Sequence, residues 1–174
     1  LNDRKPVSSG LPFEHACRDC LRRHVIDPNR LPRERFGEIS RLAVISAFRR
    51  RVGELEVPHG VVDDLETPVE DGRRVFPHIA LGLYLAAGAL ALHEGIDIVF
   101  AMMEPRLARH MRRYGIVYTQ AGDVIDYRGQ RGPFFITRDQ LYSGLQPEIR
   151  QLLELIRSDL GQRLEHTPSG EGER

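Results

Sequence analysis

The chain has 174 residues, the size of one domain at about 100–200 residues each. Its 25 Lys and Arg balance 25 Asp and Glu, a neutrality that argues against general nucleic-acid or membrane-surface binding. With 41% hydrophobic and 29% charged residues it can bury one core, and two cysteines are too few for a disulfide framework, so a reducing cytoplasm is the expected compartment. No basic start leads into an apolar run of the secretory kind. The first residue is Leu rather than Met, and the expectation is a piece of something longer.

In chain order, residues 1–12 are polar and rich in turn formers and read as a loop. Residues 13–24 suit a short helix with Phe13, Cys17, Cys20 and Leu21 on its apolar face. Residues 37–46 are aliphatic and β-branched and read as a buried strand, followed by the basic knot Phe48-Arg49-Arg50-Arg51. Residues 52–74, broken by Gly53, Pro58, Gly60, Pro68 and Gly72, read as a long surface loop. Residues 75–94 form a helix punctuated by Pro77 and Gly95. Its apolar stretch from Ile79 to Leu92 falls short of the about 20 residues a membrane span needs, so a helix packed along a sheet is expected.

Residues 96–103 read as a second buried strand, and Glu104-Pro105 opens a helix that runs to Arg113 and stops at Gly115. Residues 117–121 and 124–129 read as two strands joined by a turn at Gly122-Asp123, and 133–138 as another strand. Residues 146–164 carry Ile149, Leu152, Leu153, Ile156 and Leu160 on one helical stripe, and the last ten residues read as a disordered tail. The order predicts a mixed α/β domain over residues 1–164.

The least ordinary segment is Glu38-Ile39-Ser40-Arg41-Leu42-Ala43-Val44. In a strand, Glu38, Ser40 and Leu42 share one face, and Arg41 lies on the other. A carboxylate and a guanidinium in an aliphatic strand need partners, because burying an isolated charge costs several kcal/mol. Two readings stand: a structural ion pair, or a general base or substrate-orienting carboxylate beside a polarising hydroxyl.

That segment, the knot after it, Phe76-Pro77-His78-Ile79-Ala80-Leu81-Gly82-Leu83-Tyr84, and Ala101-Met102-Met103-Glu104-Pro105-Arg106-Leu107-Ala108-Arg109 together resemble the bacterial acyltransferases associated with PEP-CTERM/exosortase systems. These group with the N-acyl amino acid and acyl-homoserine-lactone synthases, a branch of the GNAT-like superfamily. The likeness covers roughly residues 11–140, continuing through Gly115-Ile116 and the following hairpin. It implies a three-layer fold with helices on a central mixed sheet, here short of its N-terminal part. It also implies transfer of an acyl chain from a thioester on acyl carrier protein to an amino acid or related amine. Glu38 would then act as base or orienter, Arg41 would order it or bind a substrate carboxylate, and Ser40 would assist. Val44, Arg49, Arg50, Arg51 and Met103 would line the path of the phosphopantetheine thioester, in the cleft where strands 38–46 and 96–103 splay apart. No permanently bound cofactor and no metal are implied. The alternative is a non-catalytic remnant that binds a partner or a lipid.

Residues 46–60 hold only Gly53 and Gly60, not the Gly-rich loop that cradles coenzyme A, which favours a carrier protein with an acidic surface as donor. Cys17-x-x-Cys20 lacks a second ligand pair for zinc, so core packing is expected over a redox role. The seven histidines show no metal-ligand spacing, and Arg109, Arg112 and Arg113 line a helix surface or meet the carrier. If the Arg49–Arg51 knot docks an acidic carrier, reversing two of its charges will weaken binding and flatten its salt dependence. Titration against acyl carrier protein at two ionic strengths checks this; an unchanged affinity and slope assigns the knot to solvent.

Overall fold

The computed structural model describes residues 10–42 and 75–165. They fall into two compact units: one takes Gly10–Ser40 and Gly95–Leu145, the other the remaining described residues. The expected loop at 52–74, the basic knot and the tail after residue 165 lie outside the described residues.

The first unit is built on a mixed five-stranded sheet. The strands are β1 (Phe36–Glu38), β2 (Ile98–Met103), β3 (Thr119–Gln120), β4 (Ile125–Asp126) and β5 (Gln130–Thr137). β1 runs parallel to β2 in the register Phe36↔Ile98 to Glu38↔Phe100. β2 runs antiparallel to β5, from Ile98↔Thr137 to Met103↔Gly132. The other edge of β5 takes both β3 and β4. The expected hairpin between 117–121 and 124–129 is therefore not formed. Each segment adds to β5 instead, and the tight turn lies between β4 and β5, where Arg128 and Gly129 both adopt positive φ. Gly122 and Asp123 are engaged elsewhere, by an isolated antiparallel bridge from Gly122 to Leu21 and by the Asp123 amide donating to the Cys20 carbonyl at 2.8 Å.

Alternation along β2 gives the sheet two buried faces. On one, Phe100 is fully buried, and its ring stacks on Phe13 at 4.4 Å and 12°. Phe36 meets it edge-on at 5.8 Å and Phe135 lies at 5.9 Å. Leu11, Leu21, Ile26 and Leu31 close over this cluster. On the opposite face Ala101, Met103 and Phe134 pack against Ala108 and Leu107 of helix α3 (Pro105–Met111). The helix expected over 13–24 is only α1 (Pro12–Ala16), because the chain turns at Cys17 to reach the Gly122 loop. A helix not foreseen, α4 (Arg138–Gly144), follows β5 at once; Thr137 and Gln140 cap it reciprocally, amide to side chain at 3.2 and 3.0 Å.

The ends of β1, β2 and β5 remote from Glu38 are tied at Asp97. Its amide donates to the Arg35 carbonyl and its carbonyl accepts from the Arg138 amide, while Arg35 and Arg138 pair with its carboxylate. The second unit contains α2 (Val75–His93) packed along α5 (Pro147–Glu165), with Leu81, Leu85, Ala89, Leu92 and Leu153 buried. The partner that the structure shows for the long apolar helix is thus another helix. No helix among the described residues is long and apolar enough to cross a membrane.

Two glycines permit close backbone approaches. Gly115 ends the turn after α3 at φ 83, and a Cβ there would strike the Gly144 carbonyl and Leu145 Cα. A Cβ on Gly122 would strike the Cys20 carbonyl and the Pro133 ring. Substituting Phe100→Ala removes the ring at the centre of the cluster and is expected to cost about 3–5 kcal/mol. Gly115→Ala combines backbone strain with collision and is expected to cost about 2 kcal/mol or more. Denaturant unfolding of both variants checks the order: Phe100→Ala the larger loss, with surface Glu148→Ala within about 0.5 kcal/mol of the parent.

Candidate functional site

Glu38 is the last residue of β1, and residues 43–46 of the expected strand lie outside the described residues. The expected strand over 37–46 is corrected by the backbone: Arg41 has φ 58, a left-handed conformation that a strand does not contain. Ser40, Arg41 and Leu42 are exposed, so Glu38, Ser40 and Leu42 do not share a buried face. Arg41 opens the second unit. Val44, Arg49, Arg50 and Arg51 lie outside the described residues.

The half-buried Glu38 side chain shares a sheet face with Phe36, because each sits opposite an alternate residue of β2. Its Oε2 accepts the Phe13 amide at 2.9 Å, satisfying one of the orphan donors at the start of α1. A hydrogen bond to a charged acceptor is worth about 1.5–3 kcal/mol, so this contact helps seat α1 on the sheet.

A second carboxylate braces the same turn. Glu14 Oε2 accepts the Leu11 amide at 2.6 Å, and both its oxygens accept from Arg33, at 2.9 and 2.8 Å. Arg33 in turn lies 4.9 Å over the Phe36 ring. Burial pushes the Glu14 carboxyl up, but the bonds from Arg33 and Leu11 outweigh it and hold its pKa below the ordinary 4.5.

The pairing of the two central strands ends just beyond Glu38. The Ile39 amide donates to the Phe100 carbonyl at 2.9 Å, the last bond of the parallel ladder among the described residues. β2 continues through Ala101, Met102 and Met103. Since the Phe100 carbonyl points towards β1, alternation points the Met102 N–H and C=O the same way, past the end of β1. Met103 is elsewhere: buried at 7% exposure, it packs with Ala108 and Phe134 on the face opposite Phe100. Glu38 and Met103 are therefore not brought together. The β2 residue on the side of Glu38 is Met102, half-buried against the Phe100 cluster.

Cys17 and Cys20 are both buried, and they form a disulfide, which corrects the expectation of two thiols in an ordinary core. Beside them lies an open groove of about 380 Å³ lined by His15, Ala16, Arg18, Asp19, Cys20, Asp123 and Ile125. No group of three or more His, Cys, Asp or Glu among the described residues is placed to hold a metal ion.

Comparison with known proteins adds little to this geometry. No family model and no solved structure matches. The chain is similar to the trigger factor of Thermotoga maritima, at 24% identity over 162 residues, 86% of this chain. It spans only 37% of that protein's length, and a likeness of this degree assigns neither family nor activity.

The low Glu14 pKa has a consequence with a definite sign. A carboxyl depressed by folding contributes stability above its unfolded pKa, and that contribution is lost as pH falls through the folded value. The chain is therefore expected to lose stability below about pH 4.5, and Glu14→Gln to flatten that dependence. Thermal unfolding of parent and variant from about pH 6 to pH 3 checks it; parallel curves would show that Glu14 is not the group responsible.

Proposed function

We propose that the chain carries an N-acyltransferase site of the GNAT-like type at the separation of β1 and β2. It passes an acyl group from the phosphopantetheine thioester of acyl carrier protein, with acyl-CoA the less suited donor, to the amino group of an amino acid or related amine. The setting is a PEP-CTERM/exosortase system, and a carrier-protein donor places the reaction in the cytoplasm. The observation that carries this reading is the position of Glu38. It is the last paired residue of the parallel strands, opposite Phe100, with the Met102 peptide just beyond.

An amine must shed a proton to attack a thioester, and a carboxylate takes it directly or through water. Glu38 supplies that group, held in place by the Phe13 amide. The attack makes a C–N bond and puts charge on the thioester oxygen, for which the Met102 N–H, pointing past the end of β1, is the donor. Collapse breaks the C–S bond and releases the pantetheine thiol, with the proton passing from Glu38. No nucleophilic side chain is needed. Ser40 and Arg41 follow Glu38 in an exposed segment, suited to meeting the acceptor rather than the thioester.

One observation favours a second reading, a fold remnant that only binds a partner or lipid: the Glu38 carboxylate already serves α1. Glu38→Gln separates the two, because its amide oxygen still accepts the Phe13 N–H while its basicity is gone. Transfer from acyl carrier protein to a panel of amino acids is expected to fall at least ~100-fold, with the melting temperature little changed. Turnover within a factor of a few of the parent, or no transfer by the parent to any amine, removes the acyltransferase reading.

A further inference from the structure

The geometry points to Cys17 and Cys20 as a reversible thiol–disulfide pair that exchanges with an external dithiol through Cys20, on the groove lined by His15, Arg18, Asp19 and Asp123. The proposal does not depend on acyl transfer. Three observations carry it.

The first is that the pair adds little to the architecture. A separation of three residues encloses a minimal loop, for which the entropic benefit of a cross-link is least. The second is that the backbone around it is held by other bonds. The Cys17 amide donates to the Phe13 carbonyl at 2.9 Å and the Leu21 amide to the Cys17 carbonyl at 3.2 Å. The Asp123 amide donates to the Cys20 carbonyl at 2.8 Å and the Arg22 amide to the Ala121 carbonyl at 2.8 Å. These keep the two Cα atoms 4.9 Å apart, within bonding range, whether or not the sulfurs are joined. Both redox forms thus fit one backbone, as a reversible couple requires.

The third is asymmetry of access. Cys17 is 1% exposed, whereas Cys20 is 9% exposed and forms part of the groove wall. Exchange needs a thiolate to reach one sulfur, and of the two cysteines only Cys20 lines the groove. The reductant's thiolate attacks Cys20 Sγ, the S–S bond breaks, and the electron pair leaves on Cys17 Sγ, which takes a proton. The reductant's second thiolate then attacks the mixed disulfide and releases Cys20, which is protonated in turn. The pair gains two electrons and two protons, and the dithiol becomes a disulfide.

The test equilibrates the folded chain over graded ratios of reduced to oxidised dithiothreitol, traps thiols by alkylation, and counts adducts by mass. A single reversible transition is expected between a form with no alkyl groups and one with two, with circular dichroism unchanged across it. Single-cysteine variants give the direction. With an aromatic disulfide reagent, Cys20 in Cys17→Ser is expected to react at least ~10-fold faster than Cys17 in Cys20→Ser. If either variant does not fold, peptide mapping of the mixed disulfide trapped on the parent chain reports the same thing. Three results overturn the proposal: reduction only where the chain unfolds, two free thiols at every ratio, or the mixed disulfide on Cys17.

Discussion

The stack of Phe13 on Phe100 is the contact on which the sheet unit depends. Phe100 lies in β2 between the parallel neighbour and the antiparallel one, and its ring meets aromatic groups from α1, β1 and β5. Alone, a five-residue helix is far below the length at which helices are stable in water. It persists here because Phe13 buries its ring on the sheet while its amide is held by Glu38. Apolar burial and charge-assisted capping act on the same residue from opposite sides.

This arrangement fixes the carboxylate that the proposed acyl transfer would use. A carboxylate proposed to act on a substrate needs a fixed orientation, and the bond from the Phe13 amide supplies one. The same bond explains why a charged residue is tolerated at the edge of an aromatic cluster. The Glu14–Arg33 pair carries a further share of anchoring the turn, and Arg33 also covers the outer face of Phe36. The disulfide lies at the far end of α1, so the helix is flanked by a carboxylate contact at one end and a redox-capable pair at the other.

How much was legible in advance differs by element, for physical reasons. The helices over 75–93 and 147–165 and the strand 98–103 show in composition and punctuation, since long apolar or periodic runs leave few alternatives. α4 was also legible, in the Thr137-x-x-Gln140 capping pair, but residues 133–138 read as a strand running up to its first turn and hid it. The stretch 37–46 misled because aliphatic content resembles a buried strand, whereas the strand ends at Glu38 and Arg41, three residues on, takes a left-handed φ. No residue pattern announces that turn; Asn or Gly, the usual occupants, are absent there.

The sequence by itself determined the class of the fold, a mixed α/β chain, and singled out Glu38 as a charge needing a partner. Only the tertiary structure brings it the Phe13 amide, because Phe13 is 25 residues away and its ring is stacked on Phe100. It likewise decided that Met103 faces away from Glu38, since a strand's two faces are assigned by what packs on each. And it joined Cys17 to Cys20, because a turn held by bonds to the Gly122 loop, not the spacing of two residues, brings their sulfurs together.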